Sequence, residues 1–346
     1  MWFNERINHG LCIKEIILNF LPSWWYKNYG IEYGKSMIFD LNYRIEADRE
    51  MRRTFYERYG RFLGAGTDNP RPRAVLPDWD NTYYQAMVGF DVRYPVDQYP
   101  VAHGCLSDEE VFDLKVPENL WEVYPFCELA RQTREINRKL NTDRPLWMRT
   151  RGLLNEAIQL CSTDFYGELL DEDCEDKRDH IFRFVSGVIE QQLLSNKKYD
   201  ASSGHIMMNC TAGVAGARAY SEAVFSYDKA LYDFCLKNNI GIGLHHCGKF
   251  DDFVDVYAPM TKLNFLEIGH TSKIKPVLDR YPDAQVQYIV DAVFMQSASK
   301  EQVSEFAKGV RSQITGNEGR FHISIPDLDF GTPDDNIFAL IDVFRK

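Results

Sequence analysis

Ile240-Gly241-Ile242-Gly243-Leu244-His245-His246-Cys247-Gly248 is an apolar run that ends abruptly in two histidines, a cysteine and a glycine. A short continuous apolar run closed by a turn residue reads as a buried strand. Side chains alternate along a strand, so His245 and Cys247 share one face, with Cα atoms about 6.5 to 7 Å apart, and His246 points the other way. Imidazole and thiolate are both good zinc ligands, and this spacing lets them reach one ion. The competing reading is a buried histidine and thiol that fill a layer of the core.

Similar runs recur outward from this one: 145–148, 205–210, 263–268, 285–290 and 321–325. Between them lie charged, helix-like segments such as 178–194 and 300–310. Strands alternating with helices are the pattern of a parallel sheet built from βα units, and the number of runs points to a (β/α)8 TIM-type barrel. Nearly every run stops at a residue able to do chemistry: Arg149 and Arg151, Cys210, His245 and Cys247, Glu267 and His270, Asp291, and Asp327 with Asp329. In a barrel the strand C-termini converge on one face, where the active site is built.

The first 140 residues are less regular. The stretch from Leu11 to Tyr26 is apolar but interrupted by Lys14, Glu15 and Asn19. It reads as an amphipathic docking or dimerisation helix ended by Pro22, and not as a membrane span or signal peptide. No Pro/Ser linker, repeat or low-complexity tract divides the chain, so residues 1–346 are expected to form one domain with a helical extension over 1–60. A chain of 346 residues with 45% hydrophobic residues can bury a full core. A net charge of -11 with no Lys/Arg stripe argues against nucleic acid as a partner. The eight cysteines have no framework spacing, which fits reduced thiols and a cytoplasmic location.

Cys210 ends the run before His245, and adjacent barrel strands bring their termini side by side. It is a candidate third ligand, with Glu267 and Asp327 as carboxylate alternatives. Arg71, Arg73, Arg149 and Arg151 are candidate clamps for an anionic group. Trp79, Tyr83, Tyr84 and Phe90 are candidate walls for an aromatic substrate, though aromatic clusters are more often core. Asp291 fits either a helix N-cap or a substrate contact. Asp329 reads as turn chemistry, and Thr332-Pro333 as an N-cap followed by proline at the first helical position.

The combination of Gly243-Leu-His-His-Cys-Gly248, Asn264-Phe-Leu-Glu-Ile-Gly269 and Gly331-Thr-Pro-Asp-Asp-Asn-Ile337 resembles the uroporphyrinogen decarboxylase superfamily. More narrowly, the chain resembles its zinc-dependent, corrinoid-linked methyltransferases, which carry His-x-Cys-Gly at the matching strand end. Tyr220-Ser-Glu222 also fits that pattern, and the likeness covers roughly residues 145 to 346. The decarboxylase proper uses no metal, and its arginine-rich N-terminal motif has no counterpart here.

One methyltransferase branch passes a methyl group from methylcobalamin to a thiol and carries a second cysteine shortly before the final Thr-Pro. This chain has Ser324-Ile-Pro-Asp-Leu-Asp-Phe-Gly331 there, and Gly269 where that branch tends to have an acidic ligand. The resemblance therefore favours methyltransferase I of O-demethylases. It implies Zn2+ held by His245, Cys247 and one or two of Cys210, Glu267 and Asp327. It further implies a methoxylated aromatic substrate touching Asp291, Arg149 and Tyr84, and a partner protein carrying cobalt(I) corrinoid. The alternatives are a methylcobalamin:thiol methyltransferase, a metal-free lyase and a non-catalytic assembly module on the same barrel.

Overall fold

A computed structural model describes residues 10–13, 16–60, 66–74, 82–143, 146, 150–199 and 204–345. The strands are β1 (Gly10–Ile13), β2 (Ile16–Phe20), β3 (Asp91–Arg93), β4 (Val101–His103), β5 (His205–Met208), β6 (Ile242–His246), β7 (Phe265–Ile268), β8 (Gln285–Ile289) and β9 (Phe321–Leu328). Seven of them form one sheet in the order β1-β2-β9-β8-β7-β6-β5, and β3 and β4 make a separate hairpin. From β2 to β5 every pairing is parallel; only β1 runs antiparallel, against β2.

The β5–β6, β7–β8 and β8–β9 steps return through α-helices, and the β6–β7 step through turns and the short 3-10 helix Phe250–Phe253. All five residues of β6 are buried, and β7 and β8 are nearly so. Such strands are covered on both faces, which is why they read as continuous apolar runs in place of an alternating pattern. The chain is an α/β fold of the TIM-barrel type, with its first parallel strand, β2, hydrogen bonded to its last, β9. Among the described residues the sheet ends at β1 and β5. The expected run 145–148 falls largely outside the described residues.

The N-terminal stretch departs from expectation. Residues 16–20 are a barrel strand, and helix begins only at Pro22, in Pro22–Tyr29. Proline suits a first helical turn, where its missing N–H has no partner to lose. The apolar side chains that suggested a docking or dimerisation helix are used internally: Ile17, Leu18, Phe20, Trp24 and Trp25 are all buried. Phe20 meets the rings of Trp24 at 4.4 Å, Phe55 at 5.1 Å and Tyr59 at 5.7 Å. Helix Leu41–Phe55 starts on Asp40, whose carboxylate accepts from the amides of Asn42 and Tyr43. Just beyond its end, Arg58 and Tyr59 both bind the carboxylate of Asp334, at 2.8 Å, where the last helix, Asp334–Arg345, begins.

The expected helices lie inside Glu175–Tyr199 and Lys300–Gln313. Ser299 and Gln302 start the latter with a reciprocal capping box, which satisfies two otherwise orphaned amides. Helix Glu175–Tyr199 packs on Leu153–Cys161 and on Phe225–Lys237, and a continuous core runs from Ile16 to Phe344.

Candidate metal centre

Sheet register assembles the site. Met208 on β5 lies opposite His245 on β6, His245 opposite Glu267 on β7, Glu267 opposite Gln287 on β8, and Gln287 opposite His322 on β9. Residues paired across parallel strands face the same side of the sheet. Cys210 and Cys247 each lie two residues beyond a member of the Met208–His245 pair, at the C-terminal ends of their strands. Ligand atoms of Cys210, His245 and Cys247 all come within 4.8 Å of one another. His245 is 8% exposed and the two cysteines are half-buried, so the cluster is partly open to solvent on the thiol side.

The donor set suits zinc: two soft thiols and one imidazole, converging from adjacent strand ends. Nδ1 of His245 lies 2.5 Å from Oε2 of Glu267, whose Oε1 accepts from Nε2 of Gln287 at 2.6 Å. The S–H of Cys247 donates to Cys210, and this, helped by His245 and opposed by burial, pulls the Cys210 thiol well below its ordinary value. The same hydrogen bond, then burial, pushes the Cys247 thiol up. Burial works against a charged His245, but Glu267 and Cys210 outweigh it and raise the imidazole to about 10. A metal replaces the protons, since both thiols bind as thiolates.

His246 points away from the cluster, as alternation requires. It is fully buried among Phe250, Phe253 and Tyr257, and burial lowers it to about 4, so it stays neutral. Next to Cys210, the Asn209 amide donates to the Tyr220 hydroxyl at 2.8 Å and to Asp228 Oδ2 at 2.9 Å, while its backbone N–H donates to the His245 carbonyl at 2.8 Å. The Tyr220 hydroxyl also donates to Asp228. This buried network ties the Cys210 turn to two helices. Two glycines let the loops approach: a Cβ on Gly269 would lie 2.0 Å from the Cys247 carbonyl oxygen, and one on Gly152 would lie 2.4 Å from that of Met208. The glycine at 269 is a packing necessity here.

The remaining candidates scatter. Asp327 is exposed on β9 and lies outside the three-residue cluster. Asp291 is the N-cap of helix Ala292–Ser297, accepting from the Val293 amide at 3.0 Å. Arg149 and Trp79 lie outside the described residues. Tyr84 is fully buried, its hydroxyl donating to Gln192 at 3.3 Å. It feels Glu156 and Arg151, themselves a buried ion pair at 3.6 Å, and the Arg151 charge also bears on Cys210. Arg71 donates to the carbonyl of Leu140 at 2.7 Å, closing a helix end. The backbone N–H of Arg73 donates to Asp48. Asp329 accepts from Ser23 and from the Phe330 amide, as a turn residue does.

Asn209, Asp228 and Gln287 were not among the sequence candidates. Gln287 had a signal, a polar residue in the middle of a mostly apolar run; Asn209 and Asp228 had none, because their partners come from other elements.

No family model and no curated protein matches this sequence. Among solved structures the chain is similar to a methyltransferase from Methanosarcina mazei, with a TM-score of 0.66 at 13% identity over 97% of this chain and 93% of that one. At that identity the likeness is one of fold, and it extends over essentially the whole of both chains. No helix among the described residues is long and apolar enough to cross a membrane.

Proposed function

We propose that this chain is a zinc-dependent methyltransferase that moves a methyl group from a methoxylated aromatic substrate to the cobalt(I) corrinoid of a partner protein. The convergence of Cys210, His245 and Cys247 at the strand ends carries the reading, because a Cys/His/Cys set on a barrel's C-terminal face suits catalytic zinc. The full-length fold likeness to a methyltransferase supports it.

Cys210, His245 and Cys247 would hold the ion, which would supply Lewis acidity to the ether oxygen that departs as phenolate. In the transfer the methyl carbon–oxygen bond breaks with its electron pair on oxygen, and a cobalt–carbon bond forms with the pair that cobalt(I) contributes. The chain's own work is placement. Gly269 lets the Cys247–Gly248 backbone close on the β7 end, Asn209 ties the turn that carries Cys210 to Tyr220 and Asp228, and the buried Arg151–Glu156 pair brings fixed charge to the Cys210 side.

The test is spectroscopic. Zinc-loaded protein is mixed with cob(I)alamin, free or on a corrinoid protein, and a panel of methoxylated aromatics, and conversion of cobalt(I) to methylcobalt is followed. The expected result is conversion by the wild type, loss of at least ~100-fold in Cys247→Ala, and roughly one zinc per wild-type chain. Conversion at the wild-type rate by zinc-free protein and by Cys247→Ala refutes the proposal.

A further inference from the structure

The row His245, Glu267, Gln287 runs across three neighbouring parallel strands in matched register, so the three side chains project from the same face. Glu267 has no uncommitted oxygen: Oε2 faces Nδ1 of His245 at 2.5 Å, and Oε1 accepts from Gln287 at 2.6 Å. A carboxylate is acceptor-only, so the Gln287 amide must turn its N–H toward it. Gln287 is 2% exposed, and its own Oε1 has no hydrogen-bond partner among the described residues. A buried amide oxygen left unsatisfied is destabilising. The orientation is therefore held for the sake of Glu267.

With Nδ1 engaged by Glu267, the other ring nitrogen of His245 is the one available to the thiol side, where Cys210 meets the ring. Resting on the metal-centre reading above, we propose that Glu267, clamped by Gln287, is a positioning residue for His245 and not a metal ligand. The protein then supplies three ligands and leaves the remaining position to substrate or solvent. A carboxylate on the far nitrogen fixes the tautomer and ring orientation of a metal-binding histidine and raises its basicity, and removing such a partner typically costs 10- to 100-fold in metal affinity. Each Glu267 oxygen is already directed at a protein partner, Oε2 at His245 and Oε1 at Gln287, and Glu267 is not part of the Cys210–His245–Cys247 cluster. Among the described residues no acidic side chain joins the cluster: Asp327 is exposed outside it, and position 269 has no room for a side chain.

The experiment uses the full chain and the variants Glu267→Gln and Gln287→Met, each checked for a wild-type urea midpoint. Zinc affinity by chelator competition should fall ~10- to 100-fold in Glu267→Gln and by less, up to ~10-fold, in Gln287→Met. X-ray absorption of the zinc-loaded wild type and Glu267→Gln should give the same shell, two sulfurs, one imidazole and one light atom. Unchanged affinity in Glu267→Gln, or a shell that differs between the two proteins, overturns the proposal. A third readout needs no metal: the hydrogen-bonded Nδ1 proton of His245 should give a far-downfield NMR resonance that shifts upfield or vanishes in Glu267→Gln. If the wild type binds no zinc, the metal-centre reading fails, and this resonance alone decides whether Glu267 positions His245; its absence from the wild type overturns the pairing.

Discussion

Gly269→Ala adds one carbon at the point where the β7 end touches the loop that carries Cys247. The new Cβ would stand 2.0 Å from the carbonyl oxygen of Cys247 and 2.4 Å from that of Gly248, and both are backbone atoms that cannot swing aside. Ordinary contact begins at 3.4 Å, so one loop must retreat by about 1.4 Å. Overpacking of this kind costs ~1–3 kcal/mol, and the moved carbonyl belongs to a residue whose sulfur is a proposed ligand. Ligand distances tolerate only about 0.2 Å, so zinc affinity should drop by ~100-fold or more. Urea unfolding reads the first effect and chelator competition the second. Gly309→Ala is the control: it lies on the exposed side of helix Lys300–Gln313 with nothing within 4 Å, so alanine should stabilise by ~0.5–1 kcal/mol and leave zinc binding unchanged. If Gly269→Ala keeps the wild-type urea midpoint and zinc affinity, the close approach of the two loops is wrong.

Phe20→Ala removes a fully buried ring from an aromatic cluster and should cost ~3–5 kcal/mol in urea unfolding, whereas a loss below ~1 kcal/mol would mean that residues 16–20 are not a core strand. Asp228 is fully buried, and burial raises its carboxyl to about 6 against the hydrogen bonds from Tyr220 and Asn209. The folded state then binds the proton more tightly than the unfolded one, so this group's contribution to stability falls as pH rises from about 4 to about 6 and stays at its low value above that. Asp228→Asn has no such dependence. The stability difference between wild type and variant should therefore shift by about 2 kcal/mol toward the wild type between pH 7 and pH 4, and a difference flat with pH would refute the assignment.

The βα pattern from residue 205 onward was legible because buried parallel strands and amphipathic helices differ in both length and patterning. β5 to β9 fall within or around the apolar runs read from the sequence. Ile16–Phe20 was not legible as a strand: every position but Asn19 is apolar, so neither a period of 2 nor one of 3.6 stands out. What makes it a strand is β9, some 300 residues away, whose edge supplies the hydrogen bonds. Asp291 shows the opposite case, in which a residue placed correctly at a strand end serves as the cap of the next helix.

For the site, local sequence determined the ligand types and their alternation. His245 and Cys247 had to share a face, and His246 had to leave it, because a strand's period of 2 depends on nothing outside the strand. Which partners they meet depended on register between strands. The β5–β6 pairing brought Cys210 to the histidine and the second thiol, the β6–β7 pairing set Glu267 against Nδ1, and the β7–β8 pairing set Gln287 behind Glu267. A shift of one residue in any pairing would have turned those side chains to the opposite face, and no local motif encodes register. The sequence alone determined that a metal-binding pair stands at a strand end; the packed sheet decided which third residue joins it and which carboxylate stands behind it.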